Sequence, residues 1–241
     1  MKKTGLTLAC FLLADAAWSC TTCNPNLKQA IFNQQFGNNL TQLLGALAFF
    51  LISYLCLLAF LFGLRKRALK SGKTPSTGAS KIPVFAAATL LGAGLGGFID
   101  GIVFHQLLQW HATFSLQITG NTALTKSINM FWDGVFHSLT FLTTLAGICL
   151  LWWSSGRKQA LRSNRLLLGG LLSGWGLFNI TEGLWNHLFY ETHFVKETTS
   201  RPDIWNMGFL FAGLLLCIWG LGLYAKTHSR QGELWKSDIA L

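Results

Sequence analysis

Apolar residues in this chain fall into long continuous runs rather than alternating or narrowly amphipathic patterns. After a short, weakly amphipathic stretch from Leu27 to Phe36, the runs are Leu40–Leu64, Pro83–Leu108, Ile128–Trp153, Leu166–Tyr190 and Ile204–Tyr224. Each supplies the ~20 residues a helix needs to cross about 30 Å of hydrocarbon. Barrel strands would need only about ten alternating residues, so length and continuity predict helices. The expected fold is all-α: an integral membrane bundle of about five transmembrane helices.

A shorter run at the N-terminus reads differently. Lys2 and Lys3 precede an apolar stretch from Leu6 to Ala14, and Ala17-Trp18-Ser19 offers small residues at the positions a signal peptidase requires. Residues 1–19 are expected to be a signal peptide, leaving Cys20 at the mature terminus. A lipoprotein fits poorly because Trp18 stands near the cysteine. An uncleaved anchor is the alternative, although the run is short and Asp15 interrupts it. The chain then divides into residues 20–81 (the first span and a basic loop), a four-helix membrane domain at 82–225, and a tail at 226–241.

Composition agrees with a multi-pass membrane protein: 51% of the 241 residues are hydrophobic and 12% charged. A formal charge of +10 could suggest nucleic acid, but the basic residues cluster in loops between spans with no RNA-binding motif. Nucleic acid is excluded as a partner; the lipid bilayer is the expected one. Arg65, Lys66, Arg67, Lys70, Lys73, Lys81, Arg157, Lys158, Arg162, Arg165, Lys226, Arg230 and Lys236 would lie on one side. Only Lys28, Lys126, Lys196 and Arg201 would lie on the other. The basic side is cytoplasmic by the positive-inside rule, so the mature N-terminus is expected outside and the C-terminus inside a bacterial inner (plasma) membrane.

Against this background the ionisable residues stand out. Five of the six histidines fall in Asp100-Gly101-x3-His105-x5-His111, Asp133-Gly134-x2-His137 and Glu182-Gly183-x3-His187-x5-His193. Intramembrane charges cost about 3 kcal/mol each on insertion scales, so such residues are rare unless paired, solvated or ligated. With the orientation above, all three segments converge on the extracytoplasmic half of the membrane. Helical rise puts Asp100, Glu182 and His137 about 12–13 Å deep, His105 and His187 near 5 Å, and His111 and His193 at the surface.

An internal repeat is also expected. Aligning Asp100 with Glu182 pairs His105 with His187, His111 with His193, Gly92 with Gly174 and Gly94 with Gly176. Matching Asn129-Met130 with Asn206-Met207 then sets Leu210 and Leu214 opposite Asp133 and His137. Both copies run in one direction, which predicts a pseudo-twofold axis along the membrane normal.

The metal-ligand candidates are Asp100, His105, His111, Asp133, His137, Glu182, His187 and His193. Asp133 and His137 share a helix face and could chelate together. Asp100 and His105 are five apart, roughly 140° around an ideal helix, so ligands are expected to come from different helices. Gln106, Gln109, Asn179 and Asn186 are candidates to orient the imidazoles. Imidazole with carboxylate suits iron, zinc, copper or manganese. Haem held by His105, His137 or His187 is a further option, although the carboxylates favour a bare transition metal ion. A hydrogen-bond network that only ties the helices together is the structural alternative.

Cys20 and Cys23 form a C-x-x-C pair that export would deliver to an oxidising compartment, as a disulfide, a redox pair or an accessory metal clamp. The glycines from Gly92 to Gly97 are expected to permit close helix packing. Trp110, Trp132, Trp185 and Trp205 are expected in an interfacial aromatic belt.

Phe98-Ile99-Asp100-Gly101, His105-Gln106, Gln109-Trp110-His111, Asp133-Gly134-x2-His137 and Asn179-x2-Glu182-Gly183-x3-His187-x5-His193 resemble the signature of an uncharacterised bacterial multi-pass membrane protein family. The resemblance runs from Ile82 to the end of the fifth span and leaves the C-x-x-C segment outside. Where such families often pair histidines, this chain has His111-Ala112. The resemblance supplies no reaction; it carries an association with respiratory-oxidase or copper maturation.

The leading functional expectation is metal binding near the extracytoplasmic face, in metal handling or in assembly of a respiratory or other membrane metalloenzyme. The first alternative is a metal-dependent membrane enzyme, an oxidoreductase or hydrolase acting on a lipid-soluble substrate, with Asp100 or Glu182 as general base. No H-E-x-x-H motif supports it. The second is proton or ion conduction, or haem binding.

Overall fold

The computed structural model describes residues 36–71, 80–155 and 163–239, together with Pro25 and Gln29. The expected signal peptide, Cys20, Cys23 and nearly all of the Leu27–Phe36 stretch lie outside the described residues. Within them the chain is helical. Helix α1 is Phe36–Lys70, α2 is Ile82–Ile99, α3 is Ala123–Ser155, α4 is Asn164–Glu182 and α5 is Pro202–Ile239. Helices α2 and α4 each continue without a break into a π-helical segment, π1 at Asp100–Leu107 and π2 at Gly183–Phe189.

Local sequence explains the element starts. A proline stands in the first turn of α2, and Pro202 opens α5; the missing N–H costs nothing there and the fixed φ suits a helix. Among the described residues, four helices are long and apolar enough to cross a membrane: α1, α2 with π1, α3 and α5. The fifth expected span, α4 with π2, carries Ser173, Asn179, Glu182, Asn186 and His187, all buried, which lowers its hydropathy.

Helices α2 and α4 form the central pair. They run parallel and cross where a Cβ on Gly92 would strike the Leu171 carbonyl, and one on Gly174 the Thr89 carbonyl. These contacts are reciprocal, since Thr89 and Leu171 occupy equivalent places in the two copies. Glycine at the crossing is what lets the backbones approach so closely. Helix α3 packs on α2, and α5 packs on α4.

Helix α1 leans on α4 and α2. The Trp185 indole N–H donates to the Gln42 carbonyl at 3.1 Å, Trp185 stacks on Phe49, and the Tyr54 hydroxyl donates to the Ala86 carbonyl. Most of the central stretch of α2 is buried, whereas α1, α3 and α5 turn large apolar side chains outward, among them Ile52, Phe141, Phe211 and Trp219. Apolar outer walls around a more polar interior are what a bilayer solvent selects.

The loops 108–122 and 190–201 close the end of the bundle where π1 and π2 finish. Phe114 and Ile118 from the first loop pack with Leu43, Ile128 and Trp132. Trp132 is buried in this cluster, not placed in an interfacial belt. Lys196 from the second loop lies over Trp110 at 4.8 Å and Trp205 at 4.7 Å, pinning the loop across the end of π1.

Candidate metal centre

The site begins where the helices change pitch. In π1 the Leu108 N–H donates to the Val103 carbonyl at 2.8 Å, and in π2 the Tyr190 N–H donates to the Trp185 carbonyl at 3.0 Å, both five residues back. Such wider turns advance roughly 80° per residue instead of 100°, so residues five apart come nearly into line. The separation that put Asp100 and His105 on different faces of an ideal helix therefore does the opposite here. His105 Nε2 stands 3.2 Å from Asp100 Oδ2. The two π segments carry equivalent sequence positions, so the pitch change belongs to the repeat.

After each π segment one residue takes a left-handed backbone: Gln109 at φ 49° and Glu191 at φ 45°. The chain then folds back over the bundle, which carries His111 and His193 inward. Straight helical rise would put both at the surface, yet they are 5% and 1% exposed. The reversals at Gln109 and Glu191 keep the chain from continuing straight outward.

Each of these histidines is held by the loop of the other copy. His111 Nδ1 donates to the Val195 carbonyl at 2.8 Å, and His193 Nδ1 donates to the Thr113 carbonyl at 3.0 Å. A carbonyl only accepts, so Nδ1 carries a proton and Nε2 is the nitrogen left to meet a ligand. His105 is fixed in the same sense: Nδ1 lies 2.9 Å from Asp133 Oδ1, which also accepts the Thr113 N–H at 2.9 Å and its hydroxyl at 2.7 Å. With these donors on one oxygen, Asp133 orients His105 and is not itself aimed at the cluster centre.

The imidazoles form a compact cluster. Ring centroids are 4.4 Å apart for His105–His111, 4.5 Å for His111–His193 and 4.8 Å for His193–His187, the middle pair stacked within 9° of parallel. Nε2 of His105, His111 and His193 has no hydrogen-bond partner, and neither nitrogen of His187 has one. The Asp100–His105 approach and the 3.3 Å approach of Glu182 Oε1 to His193 Nε2 are close but misaligned for hydrogen bonding. Donors sharing an ion at about 2.1 Å stand roughly 3 Å apart at right angles, which is this kind of contact. Ligand atoms of His105, His111 and His193 lie within 4.8 Å of one another, as do those of Glu182, His187 and His193. Burial, together with neighbouring His193, His105 and His187, holds the His111 pKa well below 6.5, so its ring is neutral and competent to ligate.

Not every candidate joins the cluster. His137 is half-buried; its Nδ1 bonds the Asp133 backbone carbonyl at 3.0 Å and its Nε2 meets Gln106 at 3.3 Å. Chelation by Asp133 and His137 together is therefore not what the geometry offers. Gln109 is exposed and serves the left-handed turn. Asn179 is buried with Oδ1 unpartnered, and Asn186 lines a cavity beside Glu182. Cys20 and Cys23 lie outside the described residues.

The repeat alignment needs one correction. Gly183 faces Leu210 as Gly101 faces His137, and Asn206 Oδ1 accepts the Val195 N–H at 3.0 Å as Asp133 accepts that of Thr113. Leu210 thus replaces His137, and Asn206, not Leu210, replaces Asp133. The sequence match on Asn-Met slipped by one helical turn. Thr113, Val195 and Asn206 were missed as site residues; only the repeat, aligned four residues differently, could have pointed to Asn206.

A cavity of about 70 Å³ reaches this centre from the side. Leu43, Leu47, Phe50, Phe136 and Phe178 contribute to its apolar wall, and Glu182 and Asn186 are also among its lining residues.

Residues 87–227 match the family described as Predicted membrane protein (DUF2243). The match includes every residue of the cluster and leaves α1 outside. No curated protein and no solved structure matches the chain.

Proposed function

The chain belongs to this predicted membrane protein family, and we propose that it binds transition metal through the Asp100, His105, His111, Glu182, His187 and His193 cluster. The supporting observation is the set of orphaned ring nitrogens: buried and clustered together without hydrogen-bond partners, with the opposite nitrogens of three rings fixed by oxygen acceptors. A purely structural network would spend those nitrogens on hydrogen bonds. Rings this close favour bare ions over a porphyrin.

The basic loops support a bacterial inner membrane with the centre toward the extracytoplasmic face. The role is metal handling or assembly of a membrane metalloenzyme, with Cys20 and Cys23 as an accessory acceptor or redox pair. Elemental analysis of the detergent-purified protein, loaded separately with iron, copper and zinc, tests this. The native chain is expected to retain metal through desalting, and His105→Ala and His111→Ala to retain at least about tenfold less. No retention by the native chain, or full retention by both variants, would sink the reading.

The lateral cavity favours a second reading. A metal-dependent enzyme could admit a lipid-soluble substrate between α1 and α3 and meet it with Glu182. Photolabelling with an apolar diazirine that marks Leu47 or Phe50, blocked by such a substrate, is its expected signature. Labelling indifferent to every lipid-soluble competitor would leave the handling role alone.

A further inference from the structure

The cluster of histidines carries more than one ion's worth of ligands, and their division follows the repeat. Within the first copy, Asp100 lies 3.2 Å from His105 through Oδ2 and 3.9 Å from His111 through Oδ1. Within the second, Glu182, His187 and His193 bring one ligand atom each to within 4.8 Å of one another. Each copy thus presents one carboxylate and two imidazoles. That set holds a divalent first-row ion on one face and leaves other positions open.

We propose that the centre is dinuclear, with one transition-metal ion held by Asp100, His105 and His111 and a second by Glu182, His187 and His193. The inference rests on the metal-binding reading above and adds stoichiometry and ligand assignment to it. Two alternatives with a single ion fail on specific atoms. An ion held by His105, His111 and His193 leaves both nitrogens of His187 unpartnered in a side chain that is 1% exposed. An ion held by Glu182, His187 and His193 leaves Nε2 of His105 and of His111 unpartnered, both buried.

Neither His111 nor His193 bridges the two sites. His111 and His193 each commit Nδ1 to a backbone carbonyl, so each offers one nitrogen to one ion. Their stacked rings lie side by side at 4.5 Å between the sites. Ligand atoms of His105, His111 and His193, from both copies, lie within 4.8 Å of one another, so the two ions would be neighbours, as in two-metal centres. A small molecule with oxygen donors, entering at the open positions, could contact both ions.

The test loads metal-free, detergent-solubilised full-length protein with Co(II) or Zn(II), removes the excess and counts ions per chain by elemental analysis. The native chain is expected to hold two. The paired variants Asp100→Ala/His105→Ala and Glu182→Ala/His187→Ala are each expected to hold one, with size-exclusion elution unchanged. One ion in the native chain would overturn the dinuclear assignment while leaving metal binding intact; none would overturn both. If either variant elutes as native yet has lost both ions, the division by repeat is wrong. The native count decides the number of ions even if a variant fails to fold.

Discussion

The two copies of the repeat build their halves of the centre from the same backbone and support them differently. Both have a glycine at the helix crossing, a π segment, a left-handed residue and a histidine that reaches across to the other loop. In the first, the carboxylate of Asp133 grips His105 Nδ1 and the Thr113 backbone together. In the second, neutral Asn206 holds only the Val195 backbone, and His187 has no hydrogen-bond partner at either nitrogen. One half is oriented in advance; the other leaves a ring for its ligand to orient. Partners that fix a ligand imidazole change metal affinity by about 10–100-fold, so the first half should be the tighter.

Exchanging the supports would break that asymmetry, and this carries the largest expected effect. Asp133→Asn should weaken the tighter of two binding phases about 10–100-fold in a Co(II) titration. Asn206→Asp should strengthen the weaker phase, by placing a carboxylate at the position equivalent to Asp133. If both variants bind as the native chain does, Asp133 and Asn206 are packing residues only, and the halves do not differ in the way described.

A pH titration sharpens the comparison at His111. Its folded pKa lies well below 6.5 because of burial and the surrounding imidazoles. Below pH 6.5 the unfolded chain takes up a proton that the folded chain refuses, so stability falls as pH drops. The slope from this group approaches about 1.4 kcal/mol per pH unit. Thermal unfolding of the metal-free protein between pH 7.5 and 5.5 should show it, and His111→Gln should flatten it. An equal slope in the variant would assign the pH dependence elsewhere.

The smallest effect tests the shared backbone. Glycine at Gln109 or Glu191 should be tolerated, moving stability by no more than about 1 kcal/mol, because it relieves a left-handed residue while loosening the unfolded chain. Valine at either position should be costlier, by about 1–2 kcal/mol. A melt in which Gln109→Val unfolds like the native chain would deny that these turns matter.

The helices were legible because apolar runs report their own length. Pro83–Leu108 was expected where Ile82–Leu107 is found, and Leu166–Tyr190 where Asn164–Phe189 is found. The first span runs beyond its expected end because Arg65, Lys66 and Arg67 continue the helix past the apolar run. The identity of the clustered residues was legible too, since acids and histidines are conspicuous in such sequence. Their geometry was not. A five-residue spacing changes meaning with helix pitch, and nothing in Asp100-Gly101-x3-His105 announces a π segment. His111 and His193 looked superficial because the reversals at Gln109 and Glu191 lie on residues that rarely take that conformation.

The exchange of hydrogen bonds between the two loops also sets a schedule. His111 is secured by Val195 and His193 by Thr113, so each half's outer ligand waits on chain from the other half. During synthesis, the His111 imidazole has no anchor until the chain has reached Val195, 84 residues later. If the cluster binds metal as proposed, a polypeptide stalled before Val195 would present an unfinished site, and loading would wait for the second loop.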